Sequence, residues 1–249
     1  STASALSLGP GLDVLGVHSL GALLDGDPPL VRAGGGGLVA VGVRAGVPMA
    51  EALDDDGAPT GVSRSMAGAE QPGFPTAIPL DEGFAAVWQA GSGAVCRLIT
   101  VHADLSIAAG PVSMSTTACA QPQIAWLPGA QRFVVAADDP NTGRVIAGVF
   151  TASLVQVVPT FAVTPAGYGA QIVDDGDGAW IAWVRTSDAA LGYARITADG
   201  GITPAASALG HLDTVNMHYH VLQHVAGSAV ALWGDVDQSF SLAAARLCR

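Results

Sequence analysis

Residues 178–183 read Gly-Ala-Trp-Ile-Ala-Trp, and a related run, a Gly or polar residue followed by apolar residues, occurs five times along the chain. The copies begin at Gly37, Gly83, Gln131, Gly178 and Ser228, at intervals of 46–50 residues. Turn-forming residues precede the copies. Self-similarity at such a period is typical of folds built from one supersecondary unit copied along the chain.

Each copy divides into four short apolar segments separated by turn chemistry. In the fourth copy the segments are 170–173, 179–185, 191–197 and 202–209, with Asp- and Gly-rich turns after the first and third. Four antiparallel strands per copy predict an all-β fold, a five-bladed β-propeller in one domain, 1–249. The predicted blades are 28–69, 74–117, 121–165, 168–211 and 216–249 completed by 1–10.

The two ends of the chain predict how the ring closes. The last copy stops after a segment that matches residues 194–197, so its fourth strand is missing, and residues 3–6 match residues 206–209. We therefore expect residues 1–10 to supply the outer strand of the last blade. Closure of this kind removes exposed sheet edges.

The repeats resemble those of a known group. The run Gly192-Tyr193-Ala194-Arg195, the following Asp199-Gly200, and the apolar strands that end in Trp88, Trp183 and Trp233 are similar to the repeats of secreted bacterial β-propeller proteins. The resemblance covers essentially the whole chain and implies an extracellular, periplasmic or outer-cell-surface location. It implies no single function, because the group is functionally mixed. Two copies depart from the pattern, with Gly42 and Ala136 near the Trp position.

Composition excludes several classes of function. The net charge is -11, and the ten basic residues are all arginines. An acidic surface repels phosphate backbones, which argues against nucleic-acid binding. The lack of lysine removes the P-loop phosphate grip and Schiff-base chemistry. A helix-like stretch at 12–24 is too short and too rich in Gly to span a membrane. We also expect the protein to be a monomer.

The candidate ligand-binding residues lie on one predicted face. In propellers the loops that lead into the innermost strands share a face with the loops after the second strands. The residues at these strand entrances are Phe74, Gln121, Tyr168 and His218. An inserted loop, 12–29, adds Asp13 and His18, and a solvated linker is the alternative interpretation. The entrances carry no carboxylate, which disfavours a glycosidase that needs two, unless acids of the loops on the same face, among them Asp138 and Asp139, lean inward.

Four of the six histidines fall within residues 211–224. On a strand His218 and His220 share a face, and together with Asp213 or His224 they would suit a transition metal. The alternative is a polar, hydrogen-bonded lining. A second cluster, Asp174, Asp175 and Asp177, resembles part of a calcium loop but lacks the distal Glu, so a solvated turn is the default.

Two of the three cysteines, Cys96 and Cys119, flank the last two strands of the second blade, and antiparallel pairing predicts a disulfide between them. A disulfide fits an export compartment. No pair of cysteines has zinc-finger spacing, and no catalytic triad has motif support.

Two interpretations of function remain. The first is a secreted or cell-envelope binding module that holds a protein or carbohydrate partner on its loop face. The alternative is an enzyme, either a hydrolase that uses loop carboxylates or a metal-dependent activity at His218 and His220. A lectin with one equal site per blade is disfavoured, because the strand entrances differ from copy to copy.

Overall fold

The computed structural model describes residues 4–8, 14–19, 29–91, 95–114, 118–204, 208–210, 220–225, 228–235 and 241–247. Every regular element in these ranges is a β-strand, which confirms the all-β prediction. Short apolar and β-branched runs between Gly, Pro and Asp turns favour strands over helices. The chain divides into two compact units, Ser1–Ser113 and Met114–Arg249.

The first unit contains two four-stranded antiparallel sheets and a separate two-stranded sheet. The two-stranded sheet consists of β1 (Ser4–Leu8) and β2 (Val14–Ser19). The next sheet consists of β3 (Leu30–Arg32), β4 (Leu38–Arg44), β5 (Val47–Leu53) and β6 (Pro59–Ser65). The last consists of β7 (Gly73–Leu80), β8 (Gly83–Ala90), β9 (Val95–Val101) and β10 (Ile107–Ser113).

The second unit contains two four-stranded sheets and one sheet of three described strands. The first consists of β11 (Ala120–Leu127), β12 (Arg132–Asp139), β13 (Arg144–Thr151) and β14 (Gln156–Ala162). The second consists of β15 (Tyr168–Asp174), β16 (Gly178–Val184), β17 (Leu191–Thr197) and β18 (Ile202–Pro204). The third consists of β19 (His220–Val225), β20 (Ser228–Asp235) and β21 (Ser241–Leu247).

Consecutive strands are neighbours in every sheet, so each sheet is a meander. The repeated apolar runs form the second strands, and β8 and β16 are buried along most or all of their length. A strand that is buried on both faces needs apolar side chains at successive positions. The core of each unit is therefore shared by side chains from both of its four-stranded sheets.

Two glycines join the four-stranded sheets of the first unit. Gly34 and Gly83 exchange two backbone hydrogen bonds, with N···O distances of 2.8 and 2.7 Å. A Cβ at Gly34 would lie 1.8 Å from the carbonyl oxygen of Leu80, and one at Gly83 would lie 2.0 Å from that of Val101. The Gly that begins the second copy is thus required by a close backbone approach.

Residues 4–8, inside the stretch 1–10 that is expected to close the ring, have a local pairing partner. β1 pairs with β2, with Ser4 opposite Ser19, and the role of residues 1–10 in the last blade stays a prediction. Pairing with a near neighbour in sequence costs little loop-closure entropy.

The predicted insertion also differs from expectation. Val14–Ser19, inside the predicted loop 12–29 and the helix-like stretch 12–24, is a strand. Its β-branched and apolar residues pair with those of β1, and that pairing outweighs a weak helical pattern. The number of blades and the closure of the ring stay predictions.

Candidate ligand-binding site

The first strands of three sheets share one backbone irregularity near their beginning. The strand register breaks in β7, β11 and β15, between Gly73/Thr76, Ala120/Gln123 and Tyr168/Gln171. One residue in each break is left-handed, with φ of +48° at Phe74, +48° at Gln121 and +68° at Gly169. For residues with a Cβ this conformation costs about 1–2 kcal/mol. The backbone is therefore strained at Phe74 and Gln121, whereas Gly169 adopts the same conformation without that cost.

The breaks correct the alignment of the predicted site residues. Phe74 and Gln121 correspond to Gly169, whereas Tyr168 corresponds to Gly73 and Ala120. The same bulge occurs in all three strands, so it is the strand pairing that aligns their first residues. The strand entrances therefore differ in side chain but share a backbone path.

In the first unit, Glu70 anchors the residues that lead into β7. Its backbone N–H donates to the carbonyl of Gly46 at 3.1 Å, and its carbonyl accepts from Gly91 at 2.6 Å. Its carboxylate accepts the indole N–H of Trp88 at 3.2 Å and forms an ion pair with Arg97 at 3.4 Å. These contacts link the segment 70–75, the Phe74 segment, to both adjacent sheets.

Phe74 itself is exposed by 58%, although it is a large hydrophobic residue. The preceding Gln71 is also left-handed, with φ of +47°, and its N–H donates to Gly46 at 2.9 Å. Strained conformations persist where the surroundings over-determine them, and they cluster at functional sites. The Phe74 segment therefore presents an aromatic side chain on a fixed backbone.

Buried polar atoms without a partner lie in the same sheet. The Oε1 atom of Gln89 and the Nε atom of Arg97 are buried and make no hydrogen bond. Gln89 lies opposite Gly73, the residue before Phe74. An unsatisfied buried group costs about 1–3 kcal/mol, so such atoms call for a specific reason. Sequence analysis missed Glu70, Gln89 and Arg97, which carry no motif.

In the second unit, Asp138 occupies the end of β12 beside the beginning of β15. Its Oδ2 atom accepts the N–H of Gly169 at 2.8 Å, and its Oδ1 atom accepts that of Ala170 at 3.3 Å. Burial raises the pKa of the Asp138 carboxyl, and the two amide hydrogen bonds offset part of that effect. The sequence analysis placed no carboxylate at a strand entrance, but Asp138 reaches one from the preceding sheet.

Tyr168 lies next to these amides. Its ring packs against a buried cluster that includes Val184 and Leu191. Burial, and then the negative charge of Asp138, raise the pKa of the Tyr168 hydroxyl. This hydroxyl therefore remains a hydrogen-bond donor at neutral pH.

The remaining ligand candidates are only partly within the described residues. Asp13 and His218 lie outside them, and His18 is placed by its backbone alone, opposite Ala5 in the β1–β2 pair. Their roles stay predictions.

The predicted transition-metal residues fall largely in the same undescribed stretch. His211, Asp213 and His218 lie outside the described residues, whereas His220 and His224 belong to β19, without described side chains. Across the described ranges, no group of three His, Cys, Asp or Glu residues is arranged to hold a metal ion. The histidine site stays a prediction.

At the predicted calcium turn, Asp175 has protein partners. Arg195 donates to both of its carboxylate oxygens, at 2.6 and 3.0 Å, and the N–H of Gly178 donates to Oδ1 at 2.8 Å. A bidentate Arg–carboxylate pair is strong and directional. Asp174, Asp175 and Asp177 thus include one carboxylate that ties β17 to the turn before β16.

Cys96 and Cys119 are both disulfide-bonded and buried. Cys248 lies outside the described residues. Among the residues that the structure describes, no helix has the length and apolar character to cross a membrane.

Comparison with solved structures supports the fold. The chain is similar to the Dos1 propeller, with a TM-score of 0.59 and 11% identity over 92% of this chain and 59% of that one. It is also similar to BamB from Moraxella catarrhalis, with a TM-score of 0.50 and 12% identity over 95% of this chain and 64% of that one. A third similar structure is Bacteroides ovatus Xyloglucan PUL GH43B, with a TM-score of 0.50 and 16% identity over 84% of this chain and 48% of that one.

These likenesses show a β-propeller fold and nothing finer, because the identities are low. The chain spans less than two thirds of the length of each of these three structures. No protein-family model and no curated protein sequence matches it.

Proposed function

We propose that this protein is a secreted or cell-envelope binding module that holds a protein or carbohydrate partner at the entrances of its first strands. The observation that carries the proposal is Phe74, exposed by 58% on a left-handed backbone. Exposed, rigidly held aromatic side chains are typical anchors of binding sites. The location rests on the resemblance to secreted propeller proteins and on the disulfide-bonded state of Cys96 and Cys119.

The anchoring of the Phe74 segment supports binding over a purely structural role. Glu70 is held by Gly46, Gly91, Trp88 and Arg97 before any ligand arrives. A preorganised contact loses little conformational entropy when it binds. A segment needed only to connect two strands would not require an exposed Phe at a strained position.

The variation between sheets supports one main site. The left-handed position carries Phe74 in β7, Gln121 in β11 and Gly169 in β15. Equal sites would need equal side chains at this position. The scaffold is therefore shared, whereas the contacts belong to individual strand entrances.

The test compares Phe74→Ala with Val62→Ala, a control on β6 in the same unit that is exposed by 55%. Binding of the full chain is measured on a glycan array and on a displayed peptide library. We expect Phe74→Ala to weaken binding by about tenfold or more, as for a central anchor, and Val62→Ala to leave it unchanged. Equal binding by wild type and Phe74→Ala, or no binding by the wild type to either probe, would refute the proposal.

A further inference from the structure

A second group of polar residues lies where β15 packs beside β11 and β12, inside the second unit. Asp138 at the end of β12 lies opposite Ala120 in β11, the residue before Gln121. The same carboxylate holds the amides of Gly169 and Ala170, directly after Tyr168. The backbone therefore brings a carboxylate, an amide side chain and a phenol to one end of three packed strands.

The Asp138 carboxylate keeps the capacity to accept more hydrogen bonds. Each of its oxygens accepts one backbone N–H, at 2.8 and 3.3 Å, and a carboxylate oxygen has two lone pairs. The side chain is only partly buried. Two oxygens with fixed orientation match two adjacent hydroxyl groups of a ligand.

The two neighbouring side chains complement this carboxylate. Tyr168 has its ring packed against the core and is partly exposed, so it offers a fixed aromatic surface. Gln121 is partly exposed on a left-handed backbone and carries an amide that both donates and accepts. A sugar ring presents hydroxyl groups at its edge and C–H groups on its face, which is the same combination.

We propose that Asp138, Tyr168 and Gln121 form a subsite for a neutral sugar. The inference rests on the proposed binding function and names the ligand class for the second unit. A neutral ligand is favoured over an anionic one because the chain carries a net charge of -11 and the site presents a carboxylate. The carboxylate binds the hydroxyls, the ring of Tyr168 contacts the C–H face, and Gln121 contacts a further hydroxyl.

The experiment uses the full chain on an array of neutral and sialylated oligosaccharides. The variants are Asp138→Asn, Tyr168→Leu and Gln121→Ala, and the control is Asp188→Asn, in the loop between β16 and β17. Thermal unfolding of each variant shows whether it is folded. Tyr168→Leu and Gln121→Ala leave both hydrogen-bonding partners of the Asp138 carboxylate, the backbone N–H groups of Gly169 and Ala170, in the chain.

We expect the wild type to bind neutral oligosaccharides. The affinity should fall by about tenfold in each folded site variant and stay unchanged in Asp188→Asn. Selective binding of sialylated oligosaccharides, no binding to neutral ones, or unchanged binding in Tyr168→Leu and Gln121→Ala would overturn the subsite. Phe74→Ala separates the two proposals. If only Phe74→Ala reduces glycan binding, the binding module stands and the subsite falls; if only the subsite variants reduce it, the role of Phe74 falls.

Discussion

Two strand entrances, one in each unit, are held in place by a carboxylate in different ways. In the first unit Glu70 belongs to the entering segment and reaches its own sheet at Trp88 and Arg97. In the second unit Asp138 belongs to the preceding sheet and reaches forward to Gly169 and Ala170. The same backbone path is thus stabilised once from within and once from the neighbouring strand.

The two units differ in the residue near the end of the second strand of the preceding sheet. The strand register makes Val43 in β4 the counterpart of Asp138 in β12. A valine side chain accepts no hydrogen bond, and the Phe74 segment is held by Glu70 through side chains of its own sheet. In the second unit Asp138 binds the entering backbone. There Trp183 is the counterpart of Trp88, and its buried indole N–H has no hydrogen-bond partner. A repeated scaffold therefore fixes positions, while the polar contacts are individual to each sheet.

The largest expected effect follows from removing the anchor of the first unit. Glu70→Ala leaves the buried indole N–H of Trp88 without an acceptor and Arg97 without its ion-pair partner. We expect the free energy of unfolding in a urea titration to fall by about 2–4 kcal/mol. Glu70→Gln, which retains an acceptor for Trp88, should lose about half as much. Wild-type stability for Glu70→Ala would show that the segment is held by something else.

A matched pair of variants isolates the indole hydrogen bond. Trp88→Phe and Trp183→Phe remove the same ring volume from equivalent, buried positions. Only Trp88→Phe breaks a hydrogen bond, whereas Trp183→Phe removes an unsatisfied donor. We expect Trp88→Phe to be the more destabilising by about 1–3 kcal/mol in urea unfolding. Equal losses would mean that the bond to Glu70 contributes nothing.

The contribution of Asp138 to the stability of the protein should depend on pH. Because the pKa of Asp138 is raised above 3.8, the folded state binds its proton more tightly than the unfolded state does. The stability of the wild type relative to Asp138→Asn should be greatest below that value and decline as pH rises through the folded pKa. Asn accepts through only one oxygen, so the variant should lose about 1 kcal/mol at low pH.

This pH dependence is measured by urea unfolding from about pH 3 to pH 8, with Asp188→Asn as the control. The control should follow the wild-type profile, because Asp188 lies in an exposed ion pair with Arg185. A difference between wild type and Asp138→Asn that grows as pH rises would contradict a carboxyl whose charged form is disfavoured by burial.

Much of the fold was readable from the sequence because buried second strands need uninterrupted apolar runs. Residues 178–183 and 83–88 show this directly. The pairing of residues 4–8 was not readable, since matching strand patterns fit both a local hairpin and a distant sheet. The low loop-closure cost of pairing residues 4–8 with residues 14–19 leaves no trace in the apolar pattern.

The candidate site was readable only in part. Phe74, Gln121 and Tyr168 were identified because they follow turns and begin apolar segments. Glu70 was missed, and the contact of Asp138 with Gly169 was not predicted, because the partners of these two residues, Trp88 and Gly169, lie 18 and 31 residues away in the chain. Only the strand pairing shows that Tyr168 aligns with Gly73 and not with Phe74.

The smallest expected energetic effect tests the central claim most directly, that Phe74 keeps a strained conformation for binding. Phe74→Gly relieves a backbone φ of +48° at a side chain exposed by 58%. Urea unfolding and glycan- and peptide-array binding are measured on the same preparation. We predict a gain in stability of about 0.5–1 kcal/mol together with a loss of binding. Retained binding, or a loss of stability, would contradict the claim.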